Sequence, residues 1–306
     1  MINFEDFPLE RKVRGKSWFE LDLPTQLEQR KCGIVAPDYP NPVAKDWPDL
    51  LAIVESRVRP GRLTDNRENY RRFWWQYGER RPGLVKALRD RSETFVLCRV
   101  SPHLSIVRVS SKIVGADSLD YITLDSSCAF AILQSRPHEI WARFMASSLE
   151  DRLRYTPSDC FETFPFPLDY EKNTKLEEAG RAYYEFRAEL MVSNNEGLTK
   201  TYNRFHNPNE KSRDIQQLRK LHDNMDRAVL DAYGWRKLRP TCEFFPEFEN
   251  DENEDESESK RIRVKKYRYR WPDDIHDELL AMLLTLNQER AAAPHIDTAE
   301  QRFQLT

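Results

Sequence analysis

The spacing of apolar residues changes character at Phe164–Pro167, and that change limits the folds open to this chain. Downstream, Leu176, Ala179, Tyr183, Phe186 and Leu190 recur every three or four residues across 171–192, as an amphipathic helix requires. Ile215, Leu218, Leu221, Met225, Val229 and Ala232 repeat the pattern across 214–233. The spacing therefore predicts two helices packed as an antiparallel pair, joined by a polar loop GLTKTYNRFHNPNE at 197–210. A last helix is expected from about Pro272 to Ala293. Upstream, the apolar residues come in short β-branched runs. TFVLCRV (Thr94–Val100) and LSIVRVS (Leu104–Ser110), separated by SPH, read as a hairpin, and YITL (Tyr121–Leu124) reads as a further strand. Cys128–Leu133 and Pro137–Met145 carry helical spacing, with Pro137 suited to a first helical turn. Before residue 65 prolines are frequent and periodicity is weak, apart from a helix expected at Pro48–Arg57. The expected fold class is α+β: a connector segment (1–64), a mixed α/β domain (65–168) and a helical C-terminal domain (169–306).

Charge is distributed unevenly. The formal net charge is only -3, but from Arg57 to Arg91 there are eleven Lys or Arg against four acids, and ten of the eleven are arginine. Arginine suits bidentate contacts with phosphate and guanine. Residues 243–258 hold nine acids and no base, so self-repulsion predicts disorder near 249–259; seven bases then follow between Lys260 and Arg270. That basic run fits a phosphate track or a site covered by the acidic tract before it, with a solvated loop and strand favoured over both. Five scattered cysteines, without a C-x-x-C pair, fit a reducing compartment, and neither a secretion signal nor an apolar run of membrane-spanning length is visible. A cytoplasmic location is expected.

Several blocks carry a family resemblance. FAILQSRPHEIWARFMASSLED (130–151) followed by RLRYTPSDCFETFPFP (152–167) resembles the end of the target-recognition region in fused restriction-modification adenine methyltransferases of the type IIG and IIL kind, and in their phage-exclusion relatives. GLTKTYNRFHNPNE, LRKLHDNMDRAVLDAYGW (218–235) and RWPDDIHDELLAMLLTLNQER (270–290) resemble the helical segments that follow it. DNRENYRRFWWQYGERRPG (65–83) resembles the arginine-rich segment that opens the recognition domain. The resemblance implies a specificity module that binds double-stranded DNA beside a methyltransferase catalytic domain, with S-adenosylmethionine bound by that partner and no cofactor in this chain. The helical pair at 171–235 is the expected docking place for the partner.

The chemistry of such an enzyme has no visible home here. A methyltransferase of this class needs a glycine-rich turn for the cofactor and a (D/N/S)-P-P-aromatic loop that bonds the target amino group and stacks on the flipped base. The nine glycines form no G-x-G, and no Pro-Pro pair exists. Asp49 with Glu55-Ser56-Arg57 is a poor match to a metal-dependent nuclease site, and the six histidines are dispersed. The chain is therefore expected to be catalytically silent: a split subunit, a truncated product or a remnant. The alternative function is a protein-interaction or regulatory module that no longer reads DNA.

The candidate DNA-binding residues are Arg71, Arg72, Arg80, Arg81, Arg99, Arg108, Arg152, Arg154, Tyr155 and Ser158. If RLRYT is a strand, Arg152 and Arg154 project from one face while Leu153 and Tyr155 alternate with them. Trp74 and Trp75 cannot share one face of a regular element; core packing for both is favoured over one lying on a base. Phe161, Phe164 and Phe166 are read as a packing strap.

Overall fold

The computed structural model describes residues 4, 6–13, 15–78, 81–149, 152–247 and 266–292. The acidic stretch near 249–259 lies outside them. The chain divides into two compact units, Met1–Pro82 and Gly83–Thr306.

In the first unit a short strand β1 (Glu10–Arg11) runs parallel to β2 (Ile34–Val35), with helix α1 (Leu23–Cys32) between them. The Asp22 carboxylate caps α1 by accepting from the Thr25 backbone at 3.0 Å. Gly33 ends it in the left-handed region (φ 77°), where a Cβ would also strike the Trp75 ring, so both backbone and packing demand glycine. Helix α2 (Pro48–Arg57) occupies the expected residues, started by proline at its first position. Two shorter helices follow, α3 (Arg59–Leu63) and α4 (Glu68–Arg72). Trp74 and Trp75 are both buried, meeting each other edge to face in a cluster with Phe4, Ala44, Leu51 and Val54. Trp75 Nε1 donates to the Phe7 carbonyl at 3.0 Å. Adjacent tryptophans reach one core because the chain between α4 and residue 78 is a turn, without strand alternation.

Helix α5 (Pro82–Leu88) leads into the second unit. Strands β3 (Glu93–Cys98), β4 (Val100–Ser101), β5 (Val107–Ser110) and β6 (Leu119–Ile122) follow. β5, β3 and β6 form an antiparallel sheet, with Glu93 opposite Ser110 and Val96 opposite Val107. The hairpin expected from sequence is present, but its connection is longer than SPH. Leu104 and Ile106 leave the ladder and enter the core. The Gln134 side chain replaces the missing strand partner, accepting from Ile106 N and donating to Leu104 O, both at 2.9 Å. Gln134 ends α6 (Ser127–Gln134), whose residues from Cys128 onward are all buried. A helix apolar on every side has to be covered on every side.

Helix α7 (Arg136–Met145) precedes a second sheet, in which β8 (Arg152–Arg154) lies between β4 and β7 (Ser147–Leu149). After α8 (Pro157–Cys160) comes the FETFPFP strap. Phe161 and Phe164 are buried, and Phe166 packs against them. The strap carbonyls are bound from the helices beyond: Tyr233 Oη donates to Pro165 O at 3.0 Å and Asn287 Nδ2 to Thr163 O at 2.6 Å. Arg290 likewise donates to Phe166 O at 2.6 Å.

Helices α9 (Thr174–Asn194) and α11 (Arg213–Ala232) run antiparallel, Asn194 reaching Asp214 at one end and Tyr183 meeting His222 midway. The polar loop expected between them is instead mostly helix, α10 (Leu198–Phe205). Thr201, Tyr202 and Phe205, at a helical spacing within GLTKTYNRF, are buried there. β9 (Glu243–Glu247) pairs antiparallel with β10 (Lys266–Arg270), and α12 (Asp273–Ala292) is the final described helix. Thus the beginning of the acidic tract lies against the end of the basic run. Arg268 bonds Glu247 and donates to Pro102 O at 3.1 Å, while Arg270 pairs with Asp273.

Strands and helices share one core, extending from Phe95 through Phe164 and Leu176 to Leu283. Within it α6 crosses α9 closely, since a Cβ on Gly180 would collide with the Ser127 carbonyl. Gly180→Val is expected to lower stability by about 1–3 kcal/mol through overpacking, read as a shifted urea midpoint. An unchanged midpoint would show that the crossing has room to spare.

Candidate nucleic-acid interface

The alternation expected in RLRY is borne out over its last three residues, by the burial of Leu153 and Tyr155, at 5% and 0% exposure, and by exposed Arg154 between them. Arg154 lies opposite Val100 on one side and Ser147 on the other. Partners across a ladder share a face, so Arg154 stands with exposed Val100. The Arg152 side chain lies outside the described residues, as does the whole of Arg80.

Tyr155 is corrected from a surface candidate to a core residue. His138 Nδ1 lies 2.7 Å from the Leu133 carbonyl and must carry its proton there. Nε2 is therefore the acceptor, and Tyr155 Oη donates to it at 3.2 Å. This pins the end of β8 from beneath. Burial pulls the His138 pKa down to about 4 from 6.5. His206 is likewise held low by burial, then by Arg268 and His103. A histidine neutral in the fold but protonatable when unfolded stabilises fully above its unfolded pKa, and that contribution disappears as pH falls through the folded value. Stability is expected to drop by about 3 kcal/mol from His138 alone between pH 6.5 and 4. Chemical denaturation across that range checks it, and His138→Gln should flatten the slope; an equal slope in the variant would refute the assignment.

Arg99 falls on the Tyr155 side of the strand, since Tyr155 N donates to Arg99 O at 2.8 Å while the next residue pairs with Arg154. Arg99 and Arg154 consequently do not share a face. The Arg99 guanidinium is fixed by Nε and Nη2 on Asp120 Oδ1, at 3.3 and 3.1 Å, and remains partly exposed. Arg108 is also corrected. Its guanidinium lies over the Phe95 and Tyr184 rings and near Glu93, and Tyr184 Oη bonds both its backbone N–H and its carbonyl. It seals β5 against α9, leaving little of its side chain for a ligand. Ser158 is exposed and donates to Asp159 at 3.1 Å.

The remaining candidates belong to the first unit. Arg71 is exposed, with Nη1 donating to Asp65 O at 2.6 Å. Arg72 is exposed, over the Phe73 ring and 3.3 Å from Cys32 Sγ. Arg81 is exposed, with φ of 43°. Three arginines outside the expected set adjoin them on rings: Arg59 over Trp74 at 5.0 Å, and Arg62 and Arg67 over Tyr70 at 4.3 and 3.5 Å. The basic excess at 57–91 was the signal for them, but which aromatic each would meet depends on turns that spacing does not reveal.

Among the described residues no group of three or more His, Cys, Asp or Glu is arranged to hold a metal ion, and no helix is long and apolar enough to cross a membrane. What the geometry offers is exposed guanidinium groups on short strands and turns, backed by packed cores.

Three comparisons bear on this arrangement. Residues 54–168 match the family described as MmeI, target recognition domain. DNA methyltransferase A of Bacillus subtilis (strain 168) is 28% identical over 173 residues, 54% of this chain and 17% of that protein. The solved structure of the type IIL restriction-modification enzyme MmeI in complex with DNA matches 80% of this chain and 27% of its own, with a TM-score of 0.53 and 19% identity. That structural match shows a shared α+β fold. The chain thus spans well under a third of the length of either relative, and the resemblance read from its sequence is borne out.

Proposed function

We propose, from an MmeI-type target recognition domain at 54–168, that this chain is the DNA-specificity part of a restriction-modification or phage-defence adenine methyltransferase. The observation that carries the reading is β8, which presents Arg154 to solvent while Leu153 within it and Tyr155 just after it are locked in the core. A reading strand needs that combination. Arginine forks discriminate bases only when the backbone behind them is fixed, whereas phosphate contacts set orientation. Arg152, two residues before Arg154 on β8, is assigned to the same task. Arg71, Arg72 and Arg81 are assigned to phosphates.

Both relatives are several times longer than the matched part, which supports catalysis, with S-adenosylmethionine, by a domain or subunit outside the matched part. The exposed surface of α9 and α11 around Ala179, Ala182, Leu221 and Ala228 is where that partner is proposed to dock. A cytoplasmic setting, where the target DNA lies, follows from the same reading.

The test is selection from a randomised duplex library by the purified chain at two salt concentrations. Enrichment of a defined site supports a self-sufficient specificity module. Binding that is uniform across sequences and vanishes with salt would reject base reading by this chain alone.

A further inference from the structure

We infer that Arg99, positioned by Asp120, is a further base-reading arginine that takes the major-groove edge of a guanine, a role resting on the DNA-specificity reading above. Arg99 lies at the junction of the two sheets. Its N–H donates to Ser118 O at 2.9 Å, extending the β3–β6 ladder, and its carbonyl accepts from Tyr155 N at 2.8 Å, beside the pairing of β4 with β8. The backbone is therefore fixed on both sides. Because Leu97 stands opposite Asp120 and Cys98 opposite Leu119, Asp120 is the diagonal neighbour of Arg99 on one face of the sheet, within reach of a long side chain. Asp120 Oδ1 accepts from Arg99 Nε at 3.3 Å and from Nη2 at 3.1 Å. Both donors fall on one oxygen, whereas the stronger Arg–carboxylate pairing is a fork with one donor on each.

The Asp120 side chain is only 10% exposed, and its Oδ2 is buried with no hydrogen-bond partner among the described residues. Leaving a buried acceptor unpaired costs stability, so the pair is not arranged for stability alone. The Arg99 side chain, by contrast, is 38% exposed, and its far end, Nη1 with the second N–H of Nη2, has no partner among the described residues. Those two donors lie parallel in the guanidinium plane and match the O6 and N7 acceptors of guanine. Paired phosphate oxygens have a similar shape, but the carboxylate 3.1 Å away offsets the charge on which phosphate binding depends. A base edge asks for donor geometry and not for net charge. With the plane held by Asp120 before contact, less side-chain freedom is lost on binding. Arg99 and Arg154 lie on different faces, so they address different base pairs.

The test is library selection by the full chain and its variants, with affinity for the selected duplex and a scrambled one across a salt series and thermal midpoints alongside. Arg99→Lys keeps a cation beside Asp120 but loses the planar fork. It should leave the midpoint close to the parent's, yet lower discrimination roughly tenfold at one position of the selected site, distinct from the position that Arg154→Ala relaxes. Asp120→Ala should relax that same position while binding the scrambled duplex more tightly and with a steeper salt slope, since the arginine is then uncompensated. Asp120→Asn keeps an oxygen for Nε and should fall between Asp120→Ala and the parent. Full preference in Arg99→Lys overturns the inference, because the pair is then only a brace between β6 and the β3–β4 junction. So does full preference in Asp120→Ala, which removes the positioning role. An Arg99→Ala protein with an unchanged site and a shallower salt slope assigns Arg99 to phosphate and overturns it as well. If the wild-type chain selects no site, the DNA-specificity reading itself fails and the role of Arg99 with it.

Discussion

Asp226→Ala is expected to destabilise the protein by about 3–5 kcal/mol, the largest stability effect of any single polar substitution considered for this fold. Asp226 is buried on α11 and bonds three groups. Its Oδ1 accepts from the Arg136 backbone N–H at 2.9 Å, while Oδ2 bonds the Arg136 guanidinium and lies 3.1 Å from His222 Nδ1. Burial opposes its charge, but His222 and Arg136 outweigh that and keep its carboxyl below the usual range. Removing it leaves the first turn of α7 without its acceptor and strands a guanidinium that is 4% exposed. Asp223 remains, 3.4 Å from Arg136, which favours the lower end of the range. Urea denaturation measures the loss. Because an unpaired buried charge is what costs the energy, Arg136→Met with Asp226→Leu should be less damaging than Asp226→Ala alone. A double variant as unstable as the single one would mean that the lost backbone bond dominates.

Arg154→Ala is expected to abolish preference at one position of the selected site, a loss of about 1–3 kcal/mol in discrimination, or roughly 5- to 150-fold. Arg154 is exposed, so folding stability should stay within about 0.5 kcal/mol of the parent. Arg154→Lys keeps the charge but not the planar fork and should recover affinity without recovering preference. Library selection by each variant reads this directly. If the selected site persists and only the salt slope falls, Arg154 contacts phosphate; if neither changes, β8 is not part of the interface.

The legible parts of this fold were those where local chemistry and tertiary packing agree. Pro48–Arg57 was readable at both ends because proline starts the helix and Leu51 and Val54 mark its inner face. The long helices α9 and α11 were readable because their apolar repeats point to one shared core. Spacing alone missed α10, where the family resemblance had a helical segment, because Thr199, Lys200, Asn203 and Arg204 make it look like a loop, whereas Tyr202 and Phe205 are held by contacts remote in sequence. The candidate site shows the same division. Arginine density at 57–91 marked a basic stretch, but that Arg62 and Arg67 both lie over the Tyr70 ring was set by the fold. Tyr155 resembled a surface residue until the core closed over it, and Arg108 until Phe95 and Tyr184 took up its guanidinium.

Periodicity, proline placement and charge distribution determined the α+β class, half of the described helices and the strands β3, β5 and β6, because each depends on neighbours within a few residues. Which arginines remain available for DNA was decided only by the tertiary structure. A guanidinium is exposed, stacked or buried according to the aromatic rings and carboxylates the fold brings to it. Arg136 meets Asp226, ninety residues on, and Arg187 lies against Gln134, Tyr202 and the Ile106 carbonyl. No local pattern distinguishes such an arginine from one left in solvent, since the difference is made by partners that only folding supplies.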